Sequence, residues 1–298
     1  MTDYEGDRVR DFAGKTAVIT GAASGFGREF ARRAHALGMK LVLADIEAKA
    51  LNTVVAELGD DGASVIAEVV DVSRAEEVQH LANRAFAAFG AVHLLFNNAG
   101  VGSGGLLWES SESDWRWVLG VNLWGVVHGI RHFVPRMIAA GQDGHIVNTA
   151  SVAGLLNAPN MGVYNVSKHA VVSLSETLYH DLRLAQAKLG VSLLCPAYVP
   201  TGIARSHRNR PAELKPESAP TASQRLAQAA IAKAVDSGKL SAAEVARQTF
   251  DAITHDRFYV LTHPQILPTV QQRFDDIAQQ RNPSDPFSGR PQLRPSLG

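Results

Sequence analysis

The stretch "KTAVITGAASGFGREFARRAHAL" (residues 15–37) decides the fold. Its opening, "KTAVIT" (15–20), is short, apolar and rich in β-branched residues, which reads as a strand. Its end, "GFGREFARRAHAL" (25–37), has helical periodicity. Between them Gly21, Gly25 and Gly27 let the chain turn tightly and bring a helix close against the strand it follows. Strand, glycine turn and helix in this order open a βα unit.

The same alternation continues along the chain. "KLVLAD" (40–45), "SVIAEVV" (64–70), "VHLLFNN" (92–98), "GHIVNTAS" (144–151), "VSLLCP" (191–196) and "RFYVLT" (257–262) read as further strands. Helical stretches fall between them at 48–58, 114–140 and 164–185, with others at 224–236 and 264–280. Ser73 with Glu76 and Ser241 with Glu244 have capping-box spacing and are expected to open helices. Repeated βα units of this kind predict an α/β fold with helices around a central parallel sheet. The chain reads as one domain over 1–298, with a core of about 12–262. A polar, basic, proline-rich stretch over 201–223 reads as a long loop, and 201–236 as a lid or insertion. Residues 264–298 read as a terminal helix and a frayed tail.

Bulk composition narrows the function. The 298 residues are 46% hydrophobic and 19% charged, a globular balance. The formal net charge is zero, so no overall field draws the chain to nucleic acid or anionic lipid. The one cysteine, Cys195, excludes an internal disulfide framework and suits a reducing compartment. "MTDYEGDRVRDFAGK" at the start has no apolar core of a secretory signal, and no run is long enough for a membrane span. A cytoplasmic protein is expected, and no metal-ligand cluster stands out.

Three constellations carry chemistry. A glycine turn opening a helix offers backbone amides and a favourable dipole to a pyrophosphate, although alone it is also an ordinary tight turn. Asp45 closes the second strand 18 residues past Gly27. There a carboxylate accepts hydrogen bonds from an adenosine ribose and repels a 2′-phosphate; the plain alternative is a helix cap. Tyr164 and Lys168 in "YNVSK" are one turn apart on one helical face. An ammonium beside a phenol favours the phenolate, yet most such pairs are ordinary helix surface. Ser151 ends the fifth strand, and ligand chemistry collects at the carboxyl ends of parallel strands.

Taken together, "TGAASGFG" (20–27), "NNAG" (97–100), "VNL" with Asn122, "NTAS" (148–151) and "YNVSK" (164–168) resemble the short-chain dehydrogenase/reductase family over about residues 12–262. The resemblance implies a three-layer Rossmann-type fold with a central parallel sheet of about seven strands flanked by helices, and hydride transfer between a nicotinamide and a secondary alcohol/ketone pair. It implies Tyr164 as general acid/base, Lys168 as a ribose ligand that lowers the tyrosine pKa, Ser151 as the group on the substrate oxygen, and Asn122 as holder of a proton-relay water. It implies cofactor contacts from Gly21, Ser24, Gly25, Phe26, Gly27, Asp45, Asp71, Val72, Asn98, Tyr164, Lys168, Pro196, Val199 and Thr201. NAD is expected over NADP, because Asp45 is acidic and Ser24 is not basic. Ala197 stands where the family usually has glycine. The long basic stretch and the "FYVLTH" end resemble an extended-length bacterial branch that includes lignin-dimer Cα-alcohol dehydrogenases.

The substrate expectation is a hydrophobic or aromatic secondary alcohol or ketone. Leu106, Leu107, Trp108, Leu155, Leu156, Met161 and Tyr198 are its expected apolar wall, or else core and subunit contacts. "ARSHRNR" (204–210) is either a receiver for an anionic group or a solvated face. The resemblance also implies a homodimer or homotetramer packed through the 114–140 and 164–185 helices. The rival reading is a nucleotide-binding regulatory or scaffold protein that retains the fold without turnover.

Overall fold

A computed structural model describes residues 9, 11–59, 64–216 and 218–289. Seven strands form one parallel sheet: β1 (Thr16–Thr20), β2 (Lys40–Asp45), β3 (Val65–Val69), β4 (Leu94–Asn97), β5 (Gly144–Thr149), β6 (Leu189–Cys195) and β7 (Tyr259–Leu261). Their spatial order is β3-β2-β1-β4-β5-β6-β7. Chain direction across the sheet reverses between β1 and β4. Such a switch point opens a crevice at the carboxyl ends of the strands.

Strand residues divide between two cores with a period of two. Ala17, Ile19, Leu41, Leu43, Leu94 and Phe96 face one core, shared with Phe30 and Phe250. Val18, Val42, Ala44, Leu95 and Ile146 face the other, shared with Leu81, Phe133 and Leu178. Both faces are covered, which is why these strands read as continuous apolar runs. The first layer holds α1 (Gly25–Ala36) and α8 (Ala242–Thr254). Phe96 bridges them, with ring centroids 4.9 Å from Phe30 and 5.6 Å from Phe250. The second layer is built from α3 (Ala75–Phe89), α5 (Gly125–Ala140) and α6 (Gly162–Leu184). The remaining helices are α2 (Ala48–Leu58), α4 (Glu112–Leu119), α7 (Ala222–Asp236) and α9 (Leu267–Ala278).

Several local expectations are corrected. The 114–140 stretch is α4 and α5 joined by a π turn at Gly120–Trp124, and α4 opens on an unforeseen capping box of Ser111 with Asp114. The Ser73–Glu76 box does not form. Arg74 is the residue that precedes α3, and Ser73 bonds the Asp71 carboxylate instead. Only half of the other box forms: Ser241 accepts from the Glu244 amide, but the Glu244 carboxylate turns to Arg247 and Gln248. The supposed loop after Pro200 contains 3-10 turns at Gly202–Asn209 and Ala212–Leu214. A true capping box of Thr221 with Gln224 then begins α7. In the tail, Arg281 pairs with Asp276 and the Ser284 amide donates to it, so this part folds back on α9; residues 290–298 lie outside those described.

Candidate active site

A cleft open to solvent runs along the carboxyl ends of β1, β2, β4 and β5. Its floor is the glycine turn. Gly21 and Gly25 hold φ of +66° and +53°, the left-handed region that glycine occupies without strain. A Cβ on Gly21 would lie 2.8 Å from the Ala99 Cα, and one on Gly25 would lie 3.1 Å from the Thr201 Cβ. Ser24 and Phe26 line the same floor. Gly27 does not reach the cleft. It serves the helix–strand contact, since a Cβ there would come 2.0 Å from the Gly21 carbonyl oxygen.

At one end lie Asp45, Asp71 and Val72. Asp45 is not the cap of α2; Oδ2 accepts from the Ala23 amide at 2.9 Å and Oδ1 from the Glu47 amide at 3.0 Å. Burial pushes its carboxyl above the ordinary value despite those two bonds. Asp71 Oδ1 accepts from the amide and hydroxyl of Ser73 at 2.9 and 2.7 Å. Val72 is braced by Gly125, where a Cβ would lie 2.8 Å from its methyl, and by His128 Nδ1 at 2.9 Å from its carbonyl oxygen.

The other end is buried and largely uncharged. Asn98 ties three strand ends together: its amide donates to Thr20 Oγ1 at 2.9 Å, its Nδ2 to the Thr20 carbonyl at 3.0 Å, and its Oδ1 accepts from Thr149 Oγ1 at 3.3 Å. Ser151 Oγ accepts from the Ala153 amide at 3.1 Å and donates to the Pro196 carbonyl at 3.3 Å. Lys168, 2% exposed, donates from Nζ to the Thr149 carbonyl at 2.9 Å; its Nζ is 5.7 Å from the centre of the Tyr164 ring. Asn122 sits behind the cleft in the π turn and is fully buried. Its side chain accepts from the Val101 amide at 2.8 Å and donates to the Val101 carbonyl and to Ser167 Oγ, each at 3.0 Å. Its side chain thus braces α6 against the end of β4. Pro196, Val199 and Thr201 complete the wall after β6, and Ala197 lines it too.

Titration at this end follows burial. The Tyr164 phenol is pushed up to about 12 by burial, with Ser151 beside it pulling the other way. Burial lowers the Lys168 ammonium to about 8. The lysine is directed at a backbone carbonyl, and burial governs the phenol.

None of Leu106, Leu107, Trp108, Leu155, Leu156, Met161 and Tyr198 lines this cleft, which leaves the alternative of core or subunit contacts for them. Leu107 packs where a Gly162 Cβ would be, Trp108 is 80% exposed, and Leu155 packs against the core beneath α6. In "ARSHRNR" Arg205, His207 and Arg208 are exposed, as a solvated face requires, but two of its arginines are already paired. Arg208 pairs with Glu47, and Arg210 with Asp114 at 2.6 Å. Residues not foreseen include Thr20, Glu47, Asp114, Ser167, Arg208 and Arg210. Only Thr20, directly before the glycine turn, carries a local signal. Among the described residues no group of three or more His, Cys, Asp or Glu could hold a metal ion, and no helix is long and apolar enough to cross a membrane.

Comparison with known proteins agrees with this geometry. The family model for short chain dehydrogenases matches residues 15–212. A crystal structure of a short chain dehydrogenase/reductase from Burkholderia phymatum in complex with NAD is similar, with TM-score 0.91 and 60% identity, covering 93% of this chain and 99% of that one. A CLA biosynthesis dehydrogenase/reductase of Lactiplantibacillus plantarum is 34% identical over 90% of this chain and 95% of its own length. A C alpha-dehydrogenase of Sphingobium sp. is 32% identical over 95% of this chain and 92% of its own. The chain belongs to the short-chain dehydrogenase/reductase family, whose members are oxidoreductases that use NAD or NADP.

Proposed function

We propose that this protein is an NAD-dependent dehydrogenase/reductase that interconverts a secondary alcohol and its ketone, with Tyr164 as proton donor and acceptor. The observation that carries the reading is the convergence of Ser151, Tyr164 and Lys168 on one wall of a cleft whose floor is a glycine turn. The cleft fits the cofactor: a side chain at Gly21 would strike backbone, and at Gly25 would crowd Thr201, so the turn leaves room for backbone amides to approach a pyrophosphate. Gly21, Ser24, Gly25 and Phe26 would hold that group, with Gly27 keeping the helix close. Asp45 would hold the ribose, Asp71 and Val72 the adenine, and Asn98, Lys168, Pro196, Val199 and Thr201 the nicotinamide side. When bound, the nicotinamide supplies the hydride acceptor or donor. NAD is preferred over NADP because the Asp45 carboxylate would repel a 2′-phosphate.

The chain's own residues handle the oxygen and the proton. Ser151 Oγ, fixed by the Ala153 amide, is placed to hydrogen-bond the substrate oxygen. The buried Tyr164 is a phenol at neutral pH and so is loaded as an acid for ketone reduction. Alcohol oxidation runs the proton the other way, onto the tyrosine oxygen, and the Lys168 ammonium nearby favours that anionic form. Asn122 is a positioning residue, since its side chain is taken up by Val101 and Ser167. The NAD complex of the relative from Burkholderia supports NAD as the cofactor.

The test is a screen for NAD reduction over aromatic, aliphatic, steroid and sugar alcohols, repeated with NADP. NAD reduction with an aromatic or apolar secondary alcohol supports the reading. Dinucleotide binding with no turnover on any alcohol would favour a scaffold role. A homodimer or homotetramer belongs to the same proposal, supported by exposed Trp124, Ile138, Val166 and Leu184 on or beside α5 and α6; light scattering tests it.

A further inference from the structure

The segment after Pro200 passes along the cleft and reaches its adenosine end. It is fastened on both walls. On one side Arg208 Nε donates to Glu47 Oε2 at 3.1 Å while its terminal nitrogen bonds the other carboxylate oxygen, and Asn209 Nδ2 donates to Glu47 at 2.9 Å. Glu47 stands two residues beyond Asp45. On the other side Arg210, with only 9% of its side chain exposed, donates to Asp114 at 2.6 Å, to Ser113 Oγ at 2.9 Å and to the Leu214 carbonyl at 2.5 Å. Its guanidinium also lies 5.1 Å from the centre of the Trp117 ring, and Trp117 lines the cleft. Two residues before Arg208, Ser206 is buried and accepts from the Gly102 amide at 2.9 Å. Ile203, Pro211 and Leu214 form the underside of the span and line the cleft.

We propose that residues 202–214 are a strap over the bound adenosine, and that the Arg208–Glu47 clasp must open each time the dinucleotide enters or leaves. The proposal rests on the dinucleotide reading of the cleft. The two fastenings differ in kind. Arg210 is nearly buried and held by three partners and a ring, so it is the hinge side. Arg208 and Glu47 are 37% and 26% exposed, so theirs is the side that water and salt can part. Glu47 is drawn below its ordinary pKa chiefly by its hydrogen bond from Arg208, so the clasp stays charged at neutral pH.

The test is stopped-flow fluorescence of NADH binding and displacement with the full chain, Arg208→Ala, Glu47→Ala and the double variant. Each single variant should raise the dissociation rate about fivefold, as expected for one half-exposed bidentate pair, and the association rate by a similar factor. The double variant should add little beyond either single one. In the unaltered protein the release rate should rise with salt, and the variants should lose most of that dependence. Rates within twofold of the unaltered protein in both variants overturn the strap while leaving the dinucleotide reading intact. A change in Arg208→Ala alone also overturns it, because Arg208 would then act on the dinucleotide directly. Absence of any NADH binding by the unaltered protein overturns both readings.

Discussion

The two ends of the cleft are closed by opposite means. At the catalytic end, Ser151, Lys168 and Asn122 are buried, and each is fixed by at least one bond to a backbone amide or carbonyl. At the adenosine end, closure depends on charged side chains, with Glu47 and Arg208 reaching each other across 161 residues of chain. Backbone bonds beneath a packed core give a geometry that does not change with salt and changes with pH only where buried groups titrate. A partly exposed ion pair gives a contact that opens and re-forms cheaply. On the proposed reading, the difference gives precision to the end where a proton would move and traffic to the end where a cofactor would pass.

The largest effect that would sharpen this contrast is on turnover. Tyr164→Phe should lower kcat on the order of a thousandfold, because the proton donor is lost, while NADH affinity stays within about twofold. Steady-state rates and a fluorescence titration check it; a kcat within tenfold would erase the distinction between the ends. Gly27→Ala strikes the floor common to both. A Cβ 2.0 Å from the Gly21 carbonyl oxygen forces the turn apart, and urea unfolding should report a loss of roughly 3 kcal/mol. Asp45→Asn keeps an acceptor for a backbone amide but removes the charge. The ratio of kcat/KM for NADP over that for NAD should rise about tenfold, which parallel assays with both cofactors will show. The smallest effect is on stability against pH. Lys168 titrates near 10.5 in the unfolded chain and at about 8 in the fold. Between those values the unfolded chain binds more protons, so this lysine makes stability rise with pH. Below about 8 its full burial cost is present. The melting temperature of the unaltered protein relative to Lys168→Met should therefore climb from pH 8 to 10; a flat difference would contradict the burial argument.

Much of this arrangement is legible in the sequence because its signals are local. The seven strands announce themselves as short apolar runs, and the glycine turn, Ser151 and the Tyr164–Lys168 pair each occupy a fixed place relative to a strand end or helix face. What could not be read is contact between distant segments. Nothing near Glu47 points to Arg208, and nothing near Asp114 points to Arg210, so the basic stretch looked like a loop with no partner. The seven apolar residues assigned to the pocket wall illustrate the same gap: hydrophobicity near a site does not say which way a side chain faces, and Leu107 and Leu155 face packing contacts instead. Ser73 and Glu76 had capping spacing, but Asp71 competed for the serine and won. For Tyr164, sequence spacing reveals the neighbouring lysine and conceals the burial that pushes the phenol up.

The central claim is that the Tyr164 hydroxyl exchanges the proton with the substrate oxygen. Single-turnover alcohol oxidation measured across pH tests it most directly once a substrate is in hand. The account predicts a rate that rises with pH as the phenol ionises, and loss of that rising limb together with the rate in Tyr164→Phe. A limb of the same slope and midpoint in the variant would show that another group carries the proton.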